Sequence, residues 1–421
     1  MAAEVLAGID TVWVVITGAM VFLMEGGFAL LEAGLVRQKN AVSVMMKVFT
    51  DSTFGVLAFW AVGFALMFGR DVGGFIGASQ FFLLGGNPPD LHIHIGAFWL
   101  FHVAFSIAAA SIISGAVAER IKFQGYLLFT IVLIAFLYPI QGHWVWATNG
   151  WLARMGFLDF AGGAVVHAFG GWSALAAALV LGPRIGRFDG TRNFAPHSWP
   201  LALTGAFLLW FGWFGFNAGG TMAAGDPRIG LITANTMLAA AAGGAISIVY
   251  SLIGRKGKAD PGLTVNGALA GLVAITPACA YVTFTSAVIM GVVGGFLTSW
   301  AAGFIESKMV DDPVGAVAVH GVNGLWGTMA VGLFATQGGL FYGGGAHLLG
   351  VQVLGVAVIS AWGLVTTGLV LSIIKAAGLL RPSKKAEEAG MDLSMHNVAA
   401  YSDNQDQEAG ASRINVVPKQ P

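Results

Sequence analysis

The chain has 421 residues, of which 56% are hydrophobic and only 10% charged, with 61 glycines and a formal net charge of zero. A soluble globule of this size needs far more polar surface, so the composition excludes one and implies a polytopic membrane protein whose helices pack closely through small residues. The zero balance argues against nucleic-acid binding, and a single cysteine, Cys279, leaves no disulfide framework and no Cys-cluster metal site.

In chain order, the opening "MAAEVLAGID" holds Glu4 and Asp10 but no Lys or Arg. That is not the basic start of a cleaved leader, so the first apolar run is expected to remain as a span. A hydrocarbon core of about 30 Å takes around 20 helical residues. On that criterion eleven spans follow, at 11–34, 45–68, 97–117, 123–142, 161–182, 197–216, 229–252, 263–283, 286–305, 318–336 and 347–377. Their continuity and the lack of period-two alternation exclude a membrane barrel, and the fold class is an all-α membrane protein.

Basic residues crowd alternate connections. Arg37, Lys39, Arg120, Lys122, Arg184, Arg187, Arg192, Arg255 and Lys308 fall at one set of helix ends, against only Arg70, Arg154 and Arg228 at the other. The positive-inside rule, with an odd number of spans, places the N-terminus outside and the C-terminus in the cytoplasm. From Arg381 the composition turns polar, which divides the chain into a membrane domain, 1–380, and a cytoplasmic tail, 381–421, whose last part reads as disordered.

The fifth and tenth spans repeat one pattern. "DFAGGAVVH" places Asp159 eight residues before His167, and "DDPVGAVAVH" places Asp312 eight residues before His320; Gly and Trp follow both histidines in "HAFGGW" and "HGVNGLW". The two elements lie five helices apart, so the halves are five-helix repeats of inverted orientation, an architecture that puts substrate sites near the midplane. A buried imidazole needs a partner, and two rings brought together by the pseudo-twofold can share a hydrogen bond and hand a proton along it. Asp159 stands where a helix opens, fitted either to capping its N–H groups or to stabilising a cation in the pathway; Asp311 and Asp312 read as caps. A cation in such a path would be recognised by aromatic faces, for which Trp146, Phe105 and Phe216 are candidates that residue physics alone does not select among 13 Trp and 30 Phe.

The stretches "MEGGFALLEAGLVRQKN", "GAVAERIKF", "DFAGGAVVH", "WFGFNAGG", "GLVAITPACAYV" and "DDPVGAVAVHG" together resemble the ammonium transporter (Amt/Mep/Rh) family, Amt branch, from about Thr11 to Tyr401, with "HAFGG" leaning slightly toward the Rh branch. The resemblance implies a non-enzymatic, cofactor-free protein of the cytoplasmic membrane, a homotrimer with one ammonium or ammonia pore per subunit. His167 and His320 match the pore's twin histidines, Phe105 and Phe216 its stacked gate, and Trp146 the external recruitment site. Thr276 matches the threonine beside the pore, and Asp159 the acid near the recruitment site. The family's tail can bind PII-type signalling proteins, and "GMDLSMHNVAAY" looks like that segment.

Two positions depart from the family pattern: Gly220 stands where a serine hydroxyl is common in the recruitment site, and His102 where glutamine is frequent. His102, an isolated histidine, is expected to be a hydrogen-bonded structural residue. An ammonium sensor that signals through its tail is the alternative reading. A haem bundle is the rival in a third class, though its histidines would come in pairs along two helices.

Overall fold

A computed structural model describes residues 2–88 and 91–401. Eleven apolar helices form the body of the described residues: α1 (Ala2–Leu35), α2 (Gln38–Phe68), α3 (Ile95–Ala116), α4 (123–146), α5 (Gly163–Leu181), α6 (Trp199–Ala218), α7 (Ile229–Gly254), α8 (Pro261–Ile275), α9 (Phe284–Ser307), α10 (Val317–Phe334) and α11 (His347–Ala376). Ten are long and apolar enough to span a bilayer; α8, at 15 residues, is shorter.

The sequence expectation ran α8 on to residue 283, and here the structure corrects it. Pro277 lacks the N–H that would continue the ladder, and the chain leaves the helix at Ile275 in tight turns, with Ala278 N donating to Ile275 O and Tyr281 N to Ala278 O. The carbonyls this frees are met from α7, where the Asn235 amide donates to Cys279 O and Val282 O, both at 2.9 Å. Helix starts follow local chemistry elsewhere. Asp260 accepts from Leu263 N at 2.9 Å ahead of Pro261, and Thr283 accepts from Ser286 N at 3.2 Å. Within α4 the wider π-helical turn Leu133–Leu137 accommodates Pro139 without breaking the span.

The halves interlock. α1 lies along α6, α3 packs on α5, α7 on α8 and α9, and α11 covers α5 and α10. Between the helices the polar connections cluster by face. Glu119, after α3, accepts from Arg37 Nε at 2.5 Å and from Arg184 Nη1 at 2.8 Å, while Asp311, before α10, pairs with Arg184 at 2.8 Å. Four connections rich in Lys and Arg therefore share one face, termed the basic face. On the far face Asp71, in a two-stranded turn of β1 (Asp71–Val72) and β2 (Ile76–Gly77), bonds His143 at the end of α4 at 2.8 Å.

The polar segment from Arg381 does not leave the body at once. Two short helices, α12 (Lys384–Ala389) and α13 (Met391–His396), dock on the basic face. Arg381 pairs with buried Glu387 at 2.9 Å, and the Asp392 carboxylate accepts from Val42 N at 3.1 Å and Ser43 N at 2.7 Å, capping the α-helical part of α2, which opens at Ala41 after a 3-10 turn, from 350 residues away. The last part of the tail, expected to be disordered, extends over residues 402–421, which lie outside the described residues, so that expectation is not tested there.

Candidate functional site

Both repeat elements open in the same way. α5 begins with a π-helical turn, Gly163–Ala168, and α10 with another, Val317–Val322, and each carries one histidine. Ahead of α5 the Asp159 carboxylate accepts from the N–H groups of Gly162, Gly163, Ala164 and Val165 at 2.6–2.9 Å; ahead of α10 Asp312 accepts from Ala316 at 3.0 Å and Val317 at 2.8 Å. The eight-residue spacing is thus a carboxylate cap followed by the first turn of the helix it caps. Burial pushes both carboxyls up, Asp312 to about 6, while the N–H donors pull each back. Asp311, expected as a second cap, instead holds Arg184 through three hydrogen bonds.

The capped turns bring the histidines together. His167 Nδ1 lies 3.2 Å from His320 Nδ1, with the rings 24° from parallel and their centroids 5.2 Å apart. A hydrogen bond between like nitrogens requires one ring as the Nδ1–H tautomer and the other as Nε2–H. Trp213 stacks on His167 at 5.1 Å and donates from Nε1 to Thr276 Oγ1 at 2.8 Å, which in turn donates to Leu272 O. On the far side of His167, Phe216 lies 5.5 Å away and stacks on Phe105 at 3.9 Å and 16°. The sequence Phe105, Phe216, His167, His320 is a continuous column of rings, all buried.

Cavities lie at both ends of the column. On the far face about 180 Å³ is enclosed by Phe101, His102, Phe105, Trp146, Phe160 and Gly220, among others. On the basic face His320 borders a small void of about 20 Å³, which shares Asn266, Val314 and Gly315 with an outer cavity of about 210 Å³. The far-face cavity and the basic-face cavities thus flank a closed constriction of aromatic and imidazole rings.

The family model described as Ammonium Transporter Family matches residues 12–401. The chain belongs to the ammonium transporter family. Ammonium transporter Amt2 of Archaeoglobus fulgidus is 43% identical over 93% of this chain and 88% of that relative, and Amt1 of the same organism is 38% identical over 93% and 99%. Among solved structures, one named Sensor Amt Protein superposes with a TM-score of 0.88 at 40% identity, covering 93% of this chain and 99% of that one. Candida albicans Mep2 superposes with a TM-score of 0.85 at 30% identity, covering 98% and 94%. Relatives of this family are membrane transporters, not enzymes.

Within this ammonium transporter fold the residues singled out in the sequence fall in three groups. His167, His320, Phe105 and Phe216 form the column, and Trp146 and Gly220 line the far-face cavity. The Trp146 indole N–H is occupied by Asp159 O at 2.9 Å, so its ring face, not its donor, is available to a ligand. Asp159 and Thr276 act from behind: the first is taken up by backbone N–H groups, the second by Trp213.

His102 is the correction. Expected to be hydrogen-bonded and structural, it is buried on the cavity wall among Phe68, Phe98 and Trp146 at ring separations of 4.3–5.6 Å, and its Nδ1 finds no partner among the described residues. Trp213 was passed over, although it stands one helical turn before Phe216 and that spacing puts both on one face.

Proposed function

We propose that this family member is an ammonium transporter that recruits ammonium at the far face, strips a proton there, and conducts ammonia along the histidine column. A bare cation in an apolar constriction carries a large desolvation cost, so passage as neutral ammonia is favoured. The far-face cavity suits recruitment: Trp146 and Phe105 offer ring faces to a cation, and the imidazole of His102 on the same wall offers an acceptor nitrogen that Gly220 cannot supply. The proton follows through His167 and His320. The observation that carries this reading is the 3.2 Å contact between the two Nδ1 atoms directly behind the Phe105–Phe216 stack.

The rest of the reading is in the family's manner. The basic face is cytoplasmic, the N-terminus is outside, residues 1–380 form the membrane domain and 381–421 the cytoplasmic tail, and three copies assemble with a pore in each. A PII-type protein binds the basic face. The decisive experiment is methylammonium uptake by proteoliposomes carrying His167→Ala, His320→Ala or both; the double variant is expected to lose charge-coupled uptake, and undiminished uptake would sink the essential pair.

A second reading, an ammonium sensor that signals through its tail, is favoured by one contact: Asp392 caps α2 from the tail, which ties the tail to the helix bundle. The solved structure named Sensor Amt Protein is similar to this chain. Ammonium binding without flux in the same proteoliposomes would select it.

A further inference from the structure

Beside the pore lies a buried polar network that the path proposed above does not use. Glu25 and Glu32 come from α1, Lys47 and Asp51 from α2, and Ser111 and Ser114 from α3, all 4% exposed or less. Asp51 is saturated: Tyr126 O–H and Thr130 O–H from α4 donate to its two oxygens at 2.6 and 2.7 Å. Glu25 accepts from Ser111 at 2.6 Å. Glu32 accepts from Ser114 at 2.8 Å and lies 3.7 Å from Lys47 Nζ, which also donates to Ser114 O.

Two features separate Glu32 from a structural ion pair. Its Oε1 has no hydrogen-bond partner among the described residues, and its side chain borders the small void that His320 also lines, with Ser111 beside it. Glu25 Oε1 is unpartnered too, but Glu25 borders the apolar groove between α1 and α2 and not this void. The void, about 20 Å³, holds one molecule the size of water or ammonia. Three carboxylates here face one lysine, and a buried surplus of negative charge is met by bound protons.

Resting on the transport reading above, we propose that Glu32 is the proton donor to ammonia on the basic side of the pore. Ammonia that has passed His320 takes the carboxylic proton of Glu32: an N–H bond forms, the O–H bond breaks, and ammonium leaves by the basic-face cavity through the Asn266, Val314 and Gly315 constriction. The Glu32 carboxylate left behind is held by Lys47 and Ser114. The proton released from ammonium at the far face, passed from His167 to His320, restores the acid. One nitrogen and one proton cross per cycle.

The test measures charge moved per methylammonium taken up, with current and radiolabel uptake recorded on the same proteoliposomes of full-length protein. Glu32→Gln is expected to lower that ratio at least fivefold, and Glu32→Asp to recover part of it. Since Glu32→Gln removes one carboxylate from beside Lys47, the Glu32→Gln, Lys47→Met double variant keeps the net charge of the cluster and tests the same loss if the single variant fails to fold. A ratio within a factor of 1.5 of wild type in either folded variant overturns the proposal. Wild-type uptake without current overturns it as well, whereas wild-type protein with neither uptake nor current overturns the transport reading itself.

Discussion

In the proposed recruitment site the His102 ring stands in for the hydroxyl that Gly220 lacks, and the two residues line one cavity. A Cβ on Gly220 would lie 3.1 Å from the edge of Phe160 and 3.2 Å from its carbonyl, so a serine fits here once Phe160 gives by a few tenths of an ångström. His102 lines the same cavity, and a neutral imidazole always keeps one acceptor nitrogen, so its ring is the side chain there that can supply the acceptor. A hydrogen bond to a charged ligand is worth about 1.5–3 kcal/mol, and about 1.4 kcal/mol is tenfold in affinity. His102→Leu should therefore weaken apparent ammonium affinity at least tenfold in uptake assays, and Gly220→Ser in that background should recover part of the loss. An unchanged half-saturation concentration in His102→Leu would remove His102 from the recruitment site. Nothing in the bare sequence distinguishes this histidine from a structural one, because the difference is whether a neighbour reaches its Nδ1.

At the scale of elements, the duplicated Asp-to-His spacing was legible because a cap and the first turn of its helix are local. Its partner acid was not: Asp311 stands beside Asp312 in the chain, yet it turns toward Arg184 on a different connection. Burial alone would raise the Asp311 carboxyl, but hydrogen bonds from Arg184 and the nearby Arg120 charge outweigh it and hold the carboxyl below its ordinary value. For an acid depressed in the folded state, the stabilising contribution is complete above the unfolded value of about 3.9 and is lost as pH falls through the lower folded value. Hydrogen exchange in the loop 183–196 should accordingly accelerate below about pH 4. Asp311→Asn should show the fast exchange already at neutral pH and no step on acidification; a step of equal size in wild type and variant would refute the clamp. α8 fell short for a comparable reason, since its hydropathy continues through "TPACAYV" while Pro277 ends the hydrogen-bond ladder.

For the whole molecule, the site depends on how closely the halves approach. A Cβ on Gly171 would fall on the backbone of Gly321, the residue after His320, so α5 and α10 cross in backbone contact next to the imidazole pair. Gly171→Ala forces these helices apart and should cost about 1–3 kcal/mol in thermal unfolding in detergent. Gly368→Ala on α11, whose Cβ would meet nothing nearer than 4.0 Å, should be close to neutral. Equal shifts for the two variants would show that the crossing is not a tight contact.

The sequence by itself determined the membrane class, the helical spans, their alternating charged ends and the paired histidine elements, because each is written in local composition and spacing. Which polar atoms remain without partners was decided only in the tertiary structure. Helices far apart in the chain bond Thr276 and Asp51, and bring His102 to the wall of one cavity and Glu32 to the wall of another. Hydrogen-bond satisfaction depends on three-dimensional neighbours, so it cannot be read from a single strip of sequence.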